Sequence, residues 1–186
     1  MAIITIGGKI GAGKTTLAKR LAEELGYDEL HIGHIFRELA REKDMPIEEF
    51  YAALGRDPDI ERAVDRQQAD FMKLNDDIVM QGRMAWFFAK ESPFPAFNIF
   101  LTVDPEVGAE RSGKRKENLG KSVREMIAQN AKREATENER YEELYGIEDF
   151  QSPGHYDLVL DTSTMSEEQV LKHVLEAIHE RMGGDV

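Results

Sequence analysis

One segment near the start of the chain combines residue types and spacing that suit phosphate chemistry. Gly8–Thr15, with the sequence GKIGAGKT, fits the pattern G-x-x-x-x-G-K-[S/T]. The glycines let the backbone turn tightly, so that its N–H groups can face phosphate oxygens without an intervening side chain. Lys14 can reach the β- and γ-phosphates of a nucleotide, and the Thr15 hydroxyl can ligate Mg²⁺. The alternative is a glycine-rich turn with a solvated lysine.

The elements on either side of this segment favour phosphate binding. Ala2–Ile6 is predicted as a buried strand, and Lys14–Leu25 as a helix that ends before Gly26. The N-terminus of a helix carries partial positive charge, which stabilises an anion. We therefore expect the loop and the first helical turn to bind the triphosphate of ATP through Gly8, Gly11, Ala12, Gly13, Lys14, Thr15 and Thr16.

The rest of the chain alternates apolar runs with helical patterns, which predicts βαβ units and a parallel sheet. Four further strands are predicted at Leu30–Ile32, Ile78–Met80, Phe97–Val103 and Tyr156–Leu160. Between the second and third strands the pattern is wholly helical, with helices predicted at Ile35–Lys43, from Pro46, and from Pro58 after Asp57. Capping boxes predict two later helices, one after Ser122 that reaches about Tyr145 and one after Ser166.

Composition excludes several classes of protein. The 186 residues are 41% hydrophobic and 32% charged, which is typical of a globular domain, and no apolar run is long enough to span a bilayer. The first residues, MAIITIGG, lack the features of a signal peptide, and the absence of cysteine excludes disulfides and thiolate metal sites. A net charge of −12 argues against a nucleic-acid partner. We expect a cytoplasmic monomer that binds small molecules, with no membrane or nucleic-acid partner.

In so acidic a chain, arginines that converge on one place would serve to hold an anion. Arg37 and Arg83 follow predicted strands two and three, and ligands of parallel α/β sheets bind outside the carboxyl ends of the strands. We therefore expect both arginines beside the glycine-rich loop. Arg83 is the more informative, because a long cation directly after a buried strand and Gly82 has little structural reason to be there.

Two further groups of charged residues share helical faces in the sequence. Arg111 and Arg115 are four residues apart, and Arg133, Glu137 and Arg140 stand at i, i+4 and i+7. Either group could instead be a solvated helix face, since an exposed i,i+4 ion pair is worth only ~0.3–0.5 kcal/mol. The two interpretations stay open for each group taken alone.

Taken together, these positions resemble the compact, archaeal-type cytidylate kinases of the nucleoside monophosphate kinase superfamily. The similar segments keep the family order over the full length: HIGHIFRELARE, DPDIERAVDRQQ, IVMQGRMAW, NIFLTVDPEVGAER, the R-x-x-x-E-x-x-R-Y of Arg133–Tyr141 with EELYGI, and YDLVLDTSTMSEEQV. The resemblance implies one domain, 1–186, with a P-loop NTPase fold: a three-layer α/β/α sandwich on a five-stranded parallel sheet. It also implies acceptor-binding helices at 34–75 and a small lid at about 108–122.

The resemblance implies ATP and Mg²⁺ as cofactors and CMP as the acceptor. Arg37 and Arg83 would hold the acceptor phosphate, and Arg111 and Arg115 would lie on the lid over ATP. The residues that it implies as catalytic are Lys14, Arg83, Arg111, Arg115, Arg133 and Arg140.

The remaining family positions carry both matches and departures. Arg133 and Arg140 would bridge the donor and acceptor phosphates, and Glu137 would contact the acceptor or orient those arginines. His34 stands where relatives usually have Asp, Gly108 replaces a common arginine before the lid, and GRMAWFF differs from the usual GRLAGW. The loss of the acid at His34 leaves base specificity open.

Two other functions remain open from the sequence. The first is a P-loop kinase with another acceptor, such as AMP, UMP or shikimate; a shikimate kinase would want an acidic pair after strand two and three glycines near strand three. The second is a nucleotide-dependent assembly factor or GTP switch, against which the absence of N-K-x-D and the set of arginines both count. His31 and His34 could suggest a metal site, but no further His or Cys stands at ligand spacing.

A polar stretch before strand three gives a hypothesis for recognition of the base. Its members that could bind a base edge are Asp57, Asp59, Arg62, Asp65, Arg66, Gln67 and Gln68. Arg62, Asp65 and Arg66 share a helical face, which is either the solvated side of an amphipathic helix or an Asp/Arg pair that reads cytosine.

Overall fold

Five parallel strands alternate with helices in the computed structural model, which describes residues 2–47, 49–50, 58–115 and 118–183, with the backbone alone at 34–36, 38–39, 58–61 and 63–64. The strands are β1 (Ile3–Gly8), β2 (Asp28–His31), β3 (Ile78–Gln81), β4 (Ala96–Thr102) and β5 (Leu158–Asp161). The helices are α1 (Lys14–Leu25), α2 (Ile32–Glu42), α3 (Pro58–Leu74), α4 (Ala85–Ala89), α5 (Pro105–Gly113), α6 (Val123–Tyr145) and α7 (Glu167–Met182).

The strand order β2-β3-β1-β4-β5 places β1 at the centre of the sheet. Ile3 pairs with Ile78 on one side and with Ala96 on the other. After β1 the chain forms β2 and β3 on one side of β1, and after β3 it crosses to form β4 and β5 on the other side. The carboxyl end of β1 is therefore a topological switch point. The order therefore brings the loop after β1 next to the Gly82-Arg83 pair that follows β3.

The two faces of the sheet bury separate apolar clusters, because side chains alternate along each strand. Ile4 and Ile6 pack with residues of α1 and α7, among them Leu21 and Val174. Ile3 packs on the opposite face in the cluster that holds the residues of α3 and α4. The three-layer α/β/α fold predicted from the sequence is thus confirmed. Within the described ranges, no helix has both the length and the apolar character needed to cross a membrane.

Local signals predicted several elements closely. Helix α1 has the predicted bounds, and Gly26 ends it in a left-handed conformation with φ 70°. Both predicted capping boxes are present, at Ser122 with Glu125 and at Ser166 with Gln169. The strand limits differ from the predicted ones by a few residues at most.

Helix α2 begins earlier than predicted, at Ile32 rather than Ile35. The ladder between β2 and β3 ends at the pair His31–Gln81, because β3 stops before Gly82. Ile32 therefore has no strand partner and starts the helix instead of ending the strand. Of the helix predicted from Pro46, residues 47, 49 and 50 are helical, while Asp57 and the rest of that segment lie outside the described residues.

The phosphate loop and α5 approach each other through glycines. A Cβ at Gly11, where φ is 82°, would lie 2.2 Å from the carbonyl oxygen of Gly108. A Cβ at Gly108 would lie 2.7 Å from the carbonyl oxygen of Ile10. The contact is therefore backbone against backbone. It gives a physical reason for a glycine at position 108.

We predict that Gly108→Ala lowers the free energy of unfolding by about 1–3 kcal/mol, because a methyl group must push the loop and α5 apart. Gly113→Ala is the matched control at the end of the same helix, where an added Cβ meets only Met126 Cγ at 3.9 Å. That variant should be neutral or stabilised by up to ~1 kcal/mol. Urea denaturation of both variants measures the difference, and equal stability would contradict the prediction.

Candidate active site

A cavity of about 840 Å³ opens at the carboxyl edge of the sheet, within the range of sites for small ligands. Residues that follow β1, β2, β3 and β5 line it, together with side chains of α5, α6 and α7. Nearly all the predicted site residues meet here: Gly11, Ala12, Gly13, Lys14, Thr15, Thr16, Arg37, Arg83, Arg111, Arg115, Arg133, Glu137 and Arg140. Gly8 lies below the cavity as the last residue of β1.

Lys14 is folded back onto its own loop. Its Nζ donates to the carbonyl oxygens of Gly8 at 2.7 Å and Lys9 at 2.6 Å. Burial lowers the pKa of Lys14 well below its usual value, and the neighbouring guanidinium groups lower it further, from Arg83, Arg115 and Arg133. The site thus concentrates positive charge that a bound anion would stabilise.

The hydroxyl of Thr15 lies near an imidazole. Its Oγ1 is 3.3 Å from Nε2 of His31, the last residue of β2. Among the described side chains, no group of three or more His, Asp or Glu residues is placed to hold a metal ion. The other ligands of a metal at Thr15 would therefore have to be water molecules and oxygens of a bound phosphate.

Glu137 joins two of the predicted arginines. Its carboxylate lies 2.5 Å from Arg83 Nη1 and accepts a hydrogen bond from Arg133 Nε at 2.9 Å. The Glu137 side chain is 4% exposed and that of Arg83 is 12% exposed, so this ion pair is shielded from solvent. The guanidinium of Arg83 also lies 5.8 Å from the centre of the Phe150 ring. This geometry suits the orienting role that the family resemblance implies for Glu137.

Arg111 is held by the turn that follows β5. Its guanidinium donates to the carbonyl oxygen of Thr162 at 3.0 Å and to the Thr162 hydroxyl at 3.4 Å. Oγ1 of Thr162 also lies 3.0 Å from the carbonyl oxygen of Ala12 in the phosphate loop. Sequence reasoning missed Thr162, although the polar stretch DTS directly after a predicted strand was a usable signal. The same end of the cavity is lined by Ile10, Met165, Glu167 and Val170.

Arg115 does not continue the helical face of Arg111, so that prediction is wrong. Helix α5 ends at Gly113, and Arg115 lies in the following turn, where its N–H donates to Ser112 O. The side chain of Asn118 also donates to Ser112 O, at 3.0 Å. Arg115 still reaches the cavity, but from a loop rather than from a helix.

The structure also changes the hypothesis about the base. Arg62 and Arg66 are exposed on α3 and do not line the cavity, whereas Asp65 and Gln68 are buried and do. The side chain of Asp59 lies outside the described residues. Of the described residues named in that hypothesis, Asp65 and Gln68 are thus the ones that line the cavity.

The sheet order and the glycine-rich loop between β1 and α1 define a P-loop nucleotide-binding protein. Solved structures with this fold include an uncharacterized protein from Eubacterium ventriosum (TM-score 0.70, 19% identity, 97% of this chain and 100% of that one). A shikimate kinase from Bacteroides thetaiotaomicron is also similar (TM-score 0.60, 17% identity, 97% and 98% of the two chains). At these identities the likeness concerns the fold alone.

Sequence comparison is more specific. A model of the cytidylate kinase-like family matches residues 3–164. The chain is 39% identical to a cytidylate kinase of Methanopyrus kandleri, over 96% of this chain and 95% of the relative. It is 40% identical to a cytidylate kinase of Methanocaldococcus jannaschii, over 95% and 97%. The chain therefore belongs to the cytidylate kinase-like family.

We predict that Glu137→Gln lowers the free energy of unfolding by about 2–4 kcal/mol, because it leaves Arg83 and Arg133 without their shared counter-ion. Tripolyphosphate should reduce this loss, since its charge can replace that of Glu137. Glu134→Gln is the control, because the pair of Glu134 with Lys9 is more exposed and should be worth at most ~1 kcal/mol. Thermal melts with and without the anion test this, and an equal loss in both conditions would contradict it.

Proposed function

We propose that this protein transfers the γ-phosphoryl group of ATP to CMP, and also to dCMP, forming ADP and the nucleoside diphosphate. The observation that carries the proposal is the convergence of a phosphate loop and a set of arginines on one cavity. Membership of the cytidylate kinase-like family supports it, as do the names of relatives that match nearly the full chain.

The reaction needs charge and position more than it needs a base. The phosphate of CMP is already anionic at neutral pH, so one of its oxygens can attack the γ-phosphorus directly. The bond between the γ-phosphorus and the β,γ-bridging oxygen breaks, and ADP leaves with the electron pair of that bond. The residues around the cavity bring the two phosphates together and offset the negative charge that spreads over the transferring group.

On the donor side, the phosphate loop would hold the triphosphate. Lys14, which donates to Gly8 O and Lys9 O, would exchange these partners for β- and γ-phosphate oxygens. The Thr15 hydroxyl at the cavity wall fits one ligand position of Mg²⁺. When bound, Mg²⁺ supplies further neutralisation of the β- and γ-phosphate charge.

On the acceptor side, Glu137 would hold Arg83 and Arg133 in place until substrates arrive. The negative charge of an incoming phosphate would then pair in part with the arginines that Glu137 neutralises. Arg37 and Arg140, which line the same cavity, would bind this phosphate as well. We assign acceptor binding to residues 34–75 and a lid to about 108–122, which carries Arg111 and Arg115. Closure of such a lid would exclude water, which otherwise competes for the phosphoryl group.

A coupled assay of ADP release tests the proposal. With saturating ATP and Mg²⁺, CMP and dCMP should exceed AMP and GMP by at least ~100-fold in kcat/KM, with UMP in between, because an unpaired buried group costs on the order of 1–3 kcal/mol. A clear preference for AMP would assign the protein to another acceptor. ADP release that no monophosphate stimulates would instead favour a nucleotide-dependent assembly factor. A monomeric state and a cytoplasmic location stay predictions from the sequence.

We predict that Arg83→Ala raises the KM for CMP and lowers kcat, with a smaller effect on the KM for ATP. Arg83→Lys should recover much of the stability, since lysine keeps a charge beside Glu137. It should not recover kcat, because lysine cannot make the planar two-point contact with phosphate. Arg181→Ala is the control, since Arg181 is 68% exposed and pairs with Asp157. A larger loss in ATP binding than in CMP binding would overturn the acceptor role of Arg83.

A further inference from the structure

Two buried glutamine side chains present carbonyl oxygens to the cavity. Gln68 on α3 is 4% exposed, and Gln81, the last residue of β3, is 8% exposed. Both line the cavity, and Oε1 of each is buried without a hydrogen-bond partner among the described residues. Buried polar atoms normally have a partner, so two such acceptors in one cavity require an explanation.

The orientation of the Gln68 amide follows from its neighbours. Its Nε2 donates to Asp65 Oδ1 at 3.4 Å, and the other oxygen of Asp65 accepts from the hydroxyl of Tyr145. Because this oxygen accepts from the NH₂ group, the amide nitrogen of Gln68 lies on the side of Asp65. The Oε1 atom consequently faces away from Asp65, and lies 3.3 Å from the position that a Cβ on Gly82 would take.

This network explains why Asp65 is a less suitable reader of the base than the sequence suggests. Its two oxygens bind Gln68 and Tyr145, which lies 80 residues further along the chain. The carboxylate thus fixes the position of Gln68. The unpartnered acceptors belong to the two glutamines.

We propose that Gln68 and Gln81 read the acceptor base by accepting hydrogen bonds from its exocyclic amine. The inference rests on the proposed function and names the residues that give it specificity. The amine at C4 of cytosine has two N–H groups, one for each oxygen, whereas uracil has a carbonyl oxygen at that position. Gln81 is two residues before Arg83, the arginine that is proposed to bind the phosphate of CMP.

The chemical consequence is discrimination between two pyrimidines of similar size, cytosine with its 4-amino group and uracil with its 4-carbonyl group. CMP would satisfy both glutamine oxygens. UMP would leave them unpaired and bring a third acceptor against them, which costs free energy in a buried site. A site built to bind a substrate N–H rejects an analogue that lacks it more strongly than an apolar pocket rejects a missing methyl group.

The variants Gln68→Met and Gln81→Met test the proposal, because methionine keeps the length of the side chain and removes the acceptor. Gln67→Met is the matched control, since the structure places Gln67 exposed on the same helix and outside the described lining of the cavity, contrary to the base-edge role considered from the sequence. Values of kcat/KM for CMP and UMP, and the KM for ATP, are measured for each protein. Either cavity variant should lose about 10-fold or more for CMP and much less for UMP, with the KM for ATP unchanged. The control should keep the CMP:UMP ratio of the unmodified protein.

A second arm needs no variant. The analogue of CMP with hydrogen in place of the 4-amino group, tested on the unmodified protein, should lose at least ~10-fold in kcat/KM relative to CMP. The inference is overturned if this analogue matches CMP, or if both folded methionine variants keep the original CMP:UMP ratio. A different result, no ADP release by the unmodified protein with any monophosphate, would overturn the proposed function itself.

Discussion

The concentration of positive charge around Glu137 is the constraint on which the site depends. Arg83 and Arg133 both contact this one carboxylate, and Lys14 experiences the charge of both arginines. Two like charges about 5 Å apart repel by about 3 kcal/mol at an effective dielectric constant of about 20. Without Glu137 the repulsion between these cations would lower the stability of the fold, and without the cations a buried Glu137 would itself be costly. The cluster is stable only as a set, and its surplus of positive charge favours a polyanion.

Backbone contact fixes where this charge lies. The phosphate loop meets α5 through Gly11 and Gly108, with no side chain between them. Thr162 adds a polar link, since its hydroxyl lies within hydrogen-bond distance of Ala12 O and of Arg111. The loop, the start of the proposed lid and the turn after β5 are thus in direct contact. A movement of α5 on nucleotide binding would have to change these contacts first.

The sequence predicted what short-range signals determine. Helix α1, the glycine that ends it and both capping boxes depend on residues within a few positions of one another, so they can be predicted without knowledge of the fold.

The start of α2 was misplaced because it depends on where the pairing of β2 with β3 ends. The helical face assigned to Arg115 was wrong because spacing of four residues shows a shared face only while the helix continues. The phosphate loop, Arg37 and Arg83 were predicted at one edge because they follow strand ends, whereas the charged positions on α5 and α6 came from the family resemblance. The contacts of Glu137 with Arg83, and of Asp65 with Tyr145, join positions far apart in the chain, and no local pattern indicates them.

The strand order would keep the two proposed nucleotide sites apart. Residues after β3 lie on one side of the phosphate loop, and those after β5 lie on the other, because β1 runs between β3 and β4. Gln68 and Gln81 line the first side, and Thr162 and Met165 the second, where Thr162 also accepts from Arg111. In the proposed reaction, two different bases would therefore be recognised by independent groups, while the phosphates would meet beside Lys14, Arg83 and Arg133. Because the proposed chemistry at the centre needs charge and position, the choice of acceptor could change through α3 and the end of β3 without altering the phosphate loop.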